Sequence, residues 1–439
     1  MGFNLASEQF WSESALDQEL RRVFDICNGC RRCYPLCPSF NTLFRRLDDE
    51  QVDGEADKLG VGDLRVVGDE CYQCKLCYNH CPYTPPHRWA IDFPRLMLRQ
   101  KVVQARREGV SLQDRFLGRT DLIGRTDLIG RLAAMSAPVF NLLNRARWSR
   151  RFIEATLGIH RDWPLPEYAS EPFDRWFRRE GARACVINGP PQGKVVLYPT
   201  CSVNYSDIAV GQAAVRVLAK NRIEVAVEYP RCCGMPALDG GDLKSALEAA
   251  RANVRVLGER IKAGFDVVVP GPTCSYVFKQ EYPALLEDEA SRQVSAHTFD
   301  LSEYLMRLHG EGRLSTEFRS KPGTIAYQLP CHLKAQNIGF KSRDLMELTG
   351  AKVDLIEKCS AVDGTWGMKA QYHELSLKWA KPLLDAVQAA KPDLVATDCP
   401  LSALRIFQGT GRRAVHPVQV LHEAYGLGGE GPGGSETSS

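Results

Sequence analysis

The chain has 439 residues, 44% of them hydrophobic and 25% charged, with a formal net charge of +3; it is too long for one ordinary core and suits about three units. So balanced a charge sets up no basic field for nucleic acid and no acidic excess of the kind that keeps a chain disordered. No stretch approaches the roughly 18 to 20 uncharged apolar residues of a membrane span, since LAAMSAPVFNLL (132–143) is short and carries Pro138. The opening residues, MGFNLASEQFWSESALDQELRR, include acids and lack the continuous apolar run of a secretory signal, so a cytoplasmic location is expected. Sixteen cysteines in a reducing compartment point to metal rather than disulfides.

Residues 1–95 hold two dense runs, CNGCRRCYPLCP (27–38) and CYQCKLCYNHCP (71–82), separated by the charged stretch RRLDDEQVDGEADKLGVGD. Both read C-x2-C-x2-C-x3-C-P, a spacing in which three thiolates wrap one cubane and the fourth reaches across to the other. Two 4Fe-4S clusters are therefore expected, one on Cys27, Cys30, Cys33 and Cys81, the other on Cys71, Cys74, Cys77 and Cys37. Zinc knuckles are the alternative, but they use C-x2-C pairs rather than a run of four ending in Cys-Pro. Pro38 and Pro82 turn the chain away from each crossing cysteine.

Residues 96–192 read as a helical, Arg-rich connection containing the short duplication GRTDLIGRTDLIG (118–130). Within it, NRARWSRRFIEATLGIHRDW (144–163) sets arginines beside Trp148, Phe152 and Leu157, a composition compatible with peripheral contact to an anionic membrane or with a solvated helix packed on its own domain. From 193 onward, short apolar runs alternate with amphipathic segments, the βαβ pattern of a parallel sheet.

That series recurs. Residues 193–310 carry Cys201, Cys232, Cys233 and Cys274, and residues 311–426 carry Cys331, Cys359 and Cys399, at intervals of 31 against 28 and 41 against 40. Even the exits look alike, HTFDLSEYL from His297 and HPVQVLHEA from His416. Each predicted strand ends in cysteine, and ligands of open parallel sheets gather outside the carboxyl ends of strands. Cys185 stands apart and reads as a small buried hydrophobe. GLGGEGPGGSETSS closes the chain, and residues 427–439 are expected to be a disordered tail.

RCCG (231–234), with Cys201 upstream and Cys274 downstream, resembles the cysteine-rich "CCG" domain. With the ferredoxin runs, nearly the whole chain resembles the family that includes the C subunit of anaerobic glycerol-3-phosphate dehydrogenase, the glycolate and lactate oxidase iron-sulfur subunits, and heterodisulfide reductase subunits. The resemblance implies a helical dicluster ferredoxin domain followed by two parallel α/β CCG domains. In the heterodisulfide branch a full CCG copy supplies five cysteines; here Val277 replaces the last in copy one, and Ser360 and Ser402 replace two in copy two. Four thiolates in copy one suit a further Fe-S cluster or a zinc; three in copy two leave an open position, for which His332 and Asp398 are the nearest candidate ligands, each reading more naturally as a hydrogen-bonding residue at a strand end. The glycines of DGTWGMK (363–369) match the family's turn after its second cysteine and are expected to let backbone approach a metal or sulfide.

The chain has no G-x-G-x-x-G after a strand, no P-loop and no H-E-x-x-H, so no nucleotide or zinc-protease site of its own is expected. Oxidation of an organic donor then falls to another polypeptide. The resemblance implies an electron-transfer subunit working between a flavoprotein dehydrogenase, of the glycerol-3-phosphate or 2-hydroxy-acid type, and a quinone or redox protein, placed in the cytoplasm or peripherally on the cytoplasmic face of the inner membrane. A reductase acting on a disulfide at a CCG-bound cluster, and a zinc-bound docking scaffold, are the alternatives.

Overall fold

A computed structural model describes residues 3–118, 138, 139, 141–362 and 364–428. The duplication beyond Gly118, Asp363 and the tail beyond 428 lie outside the described residues.

The N-terminal part is helical. Ser12 caps the helix Glu13–Cys30 by accepting the N–H of Ala15, and Leu16, Leu20, Val23 and Phe24 line its buried face. The helix ends at Arg31, in the left-handed region, whose N–H returns to the carbonyl of Cys27. Pro38 opens the next helix, Pro38–Leu47, at a position where a missing N–H costs nothing. Phe40, Phe44 and Leu47 meet Phe93, Leu96 and Met97 of the helix Phe93–Glu108, with the Phe40 and Phe93 rings 4.3 Å apart. Within the charged stretch between the cysteine runs, Val52, Ala56 and Leu59 pin an otherwise exposed segment to this core.

Two four-stranded, all-parallel sheets follow. The first has β1 (Gly193–Leu197), β2 (Ile223–Val227), β3 (Asp266–Val269) and β4 (Thr298–Asp300) in the order β2-β1-β3-β4. The second has β5 (Thr324–Gln328), β6 (Lys352–Ile356), β7 (Leu394–Ala396) and β8 (Ala414–Val415) in the order β6-β5-β7-β8. Val195, Val196 and Leu197 are fully buried, as a strand covered on both faces requires. In both sheets the order reverses beside the first strand, and because every pair is parallel the strand ends that precede the cysteines lie along one edge of each sheet.

The two exits correspond, but not residue for residue as the sequence suggested. β4 follows His297, whereas β8 precedes His416. The position equivalent to His416 is Asp300: each accepts N–H bonds at the start of the following helix and closes a capping box, Asp300 with Glu303 and His416 with Gln419. His297 lies one strand earlier and contacts Asp266 at 3.2 Å. The copies pack through the helices Ile208–Lys220 and Pro417–Ala424, where Val418, Leu421 and Tyr425 join the core of the first sheet. His416 Nε2 also donates to the carbonyl of Pro270, 2.9 Å away in the other copy.

Candidate metal centres

The ferredoxin cysteines fall into two neighbouring groups. Cys27 and Cys30 end one helix and Cys37 caps the next; Cys77 lies in the short helix Leu76–His80, with Lys75 in the left-handed region before it and Cys81 just after it. Burial, then Cys33, Cys81 and Cys30, push the Cys27 thiol up; Cys33 is pushed up to about 12 by burial and by Cys81 and Cys30. Cys77 is raised by burial and then by Cys74, Cys71, Cys37 and Cys33, so the second group abuts the first. None of the sixteen cysteines is in a disulfide. Among the described residues no three His, Cys, Asp or Glu side chains converge on a single-ion site; the eight thiols of the two runs are a soft donor set, of the chemistry that fits iron-sulfur clusters.

In copy one the cysteines stand a few residues beyond β1, β2 and β3. Cys201 shares a hydrogen bond with Cys232, Cys232 with Cys233, and Cys233 with Cys274, and the Cys201 and Cys233 thiols are raised first by these contacts and then by burial. Tyr282 Oη holds the Cys233 carbonyl at 2.9 Å and Asn253 Nδ2 the Cys232 carbonyl at 3.2 Å. Thr200, just before Cys201, adopts φ +68°, a conformation a β-branched residue rarely takes, and Gly271 makes room for its methyl group. Val277 is buried at the start of a π-helical turn.

In copy two Cys331 and Cys359 line a cleft of about 50 Å³ with Tyr72, Gln328, Lys334 and Lys358. Ser402 Oγ donates to Ser360 Oγ at 2.9 Å, so the two positions that would be cysteine in a five-cysteine copy meet as a hydroxyl pair, and this brings the helix that follows Cys399 beside Cys359. His332 and Asp398 are both occupied by protein partners. His332 Nδ1 contacts Thr273 Oγ1 at 2.9 Å, its Nε2 the Gln73 carbonyl at 3.0 Å, and its ring stacks on Tyr276. Asp398 accepts from Tyr327 and Ser342 at 2.7 Å each. A Cβ at Gly367 would meet the Ala361 carbonyl at 2.6 Å, Ser376 Oγ at 2.7 Å and Val362 Cα at 2.9 Å, so the glycine serves close approach to the backbone that follows Cys359.

The ferredoxin part seats directly on copy two. Tyr72, between Cys71 and Gln73, is buried and shares a hydrogen bond with Cys359 Sγ at 3.2 Å. Its ring lies 5.0 Å from that of Trp366, which in turn stacks on Tyr372 at 4.8 Å and donates to the Asp69 carbonyl. Asn79 donates to the carbonyls of Lys334 and Ala335. Cys37 is raised by burial, by Cys71 and also by Cys359.

Residues 20–107 match the Citrate utilization protein B Fer4-like domain, and residues 195–279 and 325–404 each match the CCG cysteine-rich domain. The chain is 26% identical over 320 residues, 72% of its length and 77% of the relative's, to the C subunit of anaerobic glycerol-3-phosphate dehydrogenase from Escherichia coli strain K12. It is 27% identical over 246 residues, 53% of its length and 97% of the relative's, to lactate utilization protein A of Geobacillus thermodenitrificans. The chain thus carries one Fer4-like domain followed by two CCG domains.

In this Fer4-like, double-CCG chain several site residues carry no signature of their own. Tyr72 and Lys75 hide inside the second cysteine run, and Arg405 is a lone cation in the apolar segment SALRIF. Lone charges in apolar helical runs are the one signal that could have flagged Arg405. It is fully buried over Trp163, 4.8 Å from the ring centre, and sits beside His373, which stacks on His160 at 3.7 Å. Burial, then His160 and Arg405, pull the His373 imidazole down to about 4. Between pH 6.5 and 4 the unfolded chain therefore takes up a proton that the folded chain refuses, and stability falls as pH drops through this window. His373→Phe is expected to flatten that slope, measured as unfolding midpoints in urea at about pH 7, 6 and 5. The helix Arg147–Leu157 presents Arg147, Trp148, Arg151 and Phe152 to solvent, and among the described residues no helix is long and apolar enough to cross a membrane.

Proposed function

We propose that this chain is the iron-sulfur electron relay of a multi-subunit oxidoreductase, taking electrons from a flavoprotein dehydrogenase and passing them through two 4Fe-4S clusters into the CCG pair, from which a quinone or redox protein collects them. The observation that carries this reading is the hydrogen bond between Tyr72, next to Cys71, and Cys359 of copy two. Clusters bound at these cysteines would supply one-electron acceptance and release with little movement of the protein. The chain's own residues hold the second ferredoxin group and Cys359 on either side of one tyrosine, exclude water with Trp366 and Tyr72, and fix the docking through His332 and Asn79.

The reading divides the chain into a conducting unit at residues 1–95, a helical connection at 96–192, and two CCG domains at 193–310 and 311–426. The name of the Escherichia coli relative, a dehydrogenase subunit, and that of the lactate utilization relative support a flavoprotein partner that oxidises glycerol 3-phosphate or a 2-hydroxy acid. Ser360 and Ser402, standing where a five-cysteine copy has cysteines and bonded to each other, favour a relay over a disulfide reductase.

Iron, zinc and acid-labile sulfide analysis of protein purified without oxygen tests the reading, comparing wild type with Cys232→Ser and Cys359→Ser. About eight irons from the ferredoxin part and loss of about four more from either variant are expected. If both variants keep the wild-type iron and the CCG copies hold zinc or nothing, conduction ends at the ferredoxin part and the relay reading gives way to a docking scaffold.

A further inference from the structure

Arg405 stands out among the charged residues of this chain. Its side chain is fully buried, and among the described residues no carboxylate pairs with it. Nη1 donates to Gln408 Oε1 at 2.8 Å and Nη2 to Ser376 Oγ, while Nε has no hydrogen-bond partner. The side chain whose charge bears on the guanidinium is Cys359, and Ser376 ties it to the loop that carries that cysteine. A buried guanidinium facing a neutral thiol would be an uncompensated charge, a costly arrangement. Facing a thiolate, it is a counter-ion.

The surroundings of Cys359 tell the same story from the sulfur's side. The N–H of Ala361 points at its Sγ from 3.2 Å, and Tyr72 Oη lies at 3.2 Å. Arg405 is tied to the same loop, because the Ser376 hydroxyl it contacts donates to the Ala361 carbonyl. The Ser360–Ser402 hydroxyl pair adds no further negative charge. A backbone N–H and a phenol thus meet one sulfur, and a buried cation is tied to the loop that carries it.

We propose that Arg405 and Tyr72 are positioning residues that stabilise negative charge on the centre held by Cys331, Cys359 and Cys399, and thereby raise its reduction potential so that it accepts electrons from the second ferredoxin group. This rests on the reading that copy two holds an iron-sulfur centre. Potentials of such centres follow net charge and hydrogen bonds to the ligand sulfurs, and adding an electron is easier beside a fixed positive charge and a donated hydrogen bond. One electron leaves the ferredoxin group and one arrives at copy two; no bond is made or broken, and the tyrosine proton stays on its oxygen.

The test is an EPR-monitored potentiometric titration of the full chain, purified without oxygen, for wild type, Arg405→Met, Arg405→Lys, Tyr72→Phe and Cys359→Ser, each with iron and sulfide analysis. Cys359→Ser should lose the copy-two signal and its iron, which identifies the signal to follow. Arg405→Met should move that midpoint to more negative potential by at least a tenfold change in the equilibrium constant for reduction, about 59 mV for one electron. Arg405→Lys should recover most of the shift, and Tyr72→Phe should give a smaller shift of the same sign. If Arg405→Met does not assemble, the lysine and phenylalanine variants carry the test, and a wild-type midpoint in Tyr72→Phe overturns the proposal. An unmoved midpoint in an Arg405→Met protein with full iron also overturns it while leaving the relay intact. If Cys359→Ser keeps all its iron and every signal, the underlying reading of copy two falls, and this inference with it.

Discussion

Glutamine in place of Glu281 is expected to destabilise the folded chain by about 3 to 5 kcal/mol, the cost of stranding one partner of a buried ion pair. Lys75 Nζ lies 3.0 Å from Glu281 Oε1, and both side chains are 3% exposed. Burial by itself would push the lysine down and the carboxyl up. Glu281, Tyr276 and Asp239 nonetheless hold Lys75 above its ordinary value, and Lys75 and Arg95 hold Glu281 below its own, so both partners are charged. The pair joins the second cysteine run, in which Lys75 follows Cys74, to the π-helical turn after Cys274. Removing the carboxylate charge leaves an ammonium buried among Tyr276, Gln73 and the cysteines with neutral acceptors, such as Gln73 Oε1 at 2.8 Å, in place of its counter-ion. The double variant Lys75→Met/Glu281→Gln should lose much less than the sum of Lys75→Met and Glu281→Gln, because the two sites couple. Urea midpoints of the four proteins, measured with their iron content, check this. A single variant as stable as wild type would show that the pair contributes nothing to docking the ferredoxin part on copy one.

What the sequence made legible was local or periodic. The two C-x2-C-x2-C-x3-C-P runs stand out because all eight cysteines lie on two short segments. The CCG repeat is visible because each strand is an apolar run closed by cysteine, and a parallel sheet buried on both faces leaves that pattern in the sequence. What stayed hidden joins distant positions. Tyr72 and Cys359 are 287 residues apart, and His332 and Gln73 are 259 apart; no periodicity records such a contact. The exits of the two copies misaligned for a related reason. His297 and His416 are the same residue type, while the role at that point of the fold, capping the next helix, is played by Asp300 in one copy and His416 in the other. His332 and Asp398 drew attention as neighbours of cysteines, yet what their positions encode is packing between copies and beneath a strand end.

Cys81→Ser and Cys37→Ser are expected to disable different clusters even though each residue closes the cysteine run of the other one. In the folded chain Cys81 bears on Cys27 and Cys33, the cysteines of the first run, while Cys37 bears on Cys71 and Cys77 in the second. Each variant should lose about four irons with matching sulfide and keep the other cluster's EPR signal. The consequences differ, because only the second group touches Cys359 through Tyr72. Cys37→Ser should therefore abolish reduction of the copy-two centre by the ferredoxin part, and Cys81→Ser should leave that step intact while cutting the supply of electrons from the far side. Freeze-quench EPR after addition of a strong reductant separates the two. If Cys81→Ser, rather than Cys37→Ser, blocked reduction of copy two, the order of the centres would be reversed and the contact at Tyr72 would not be the path between them.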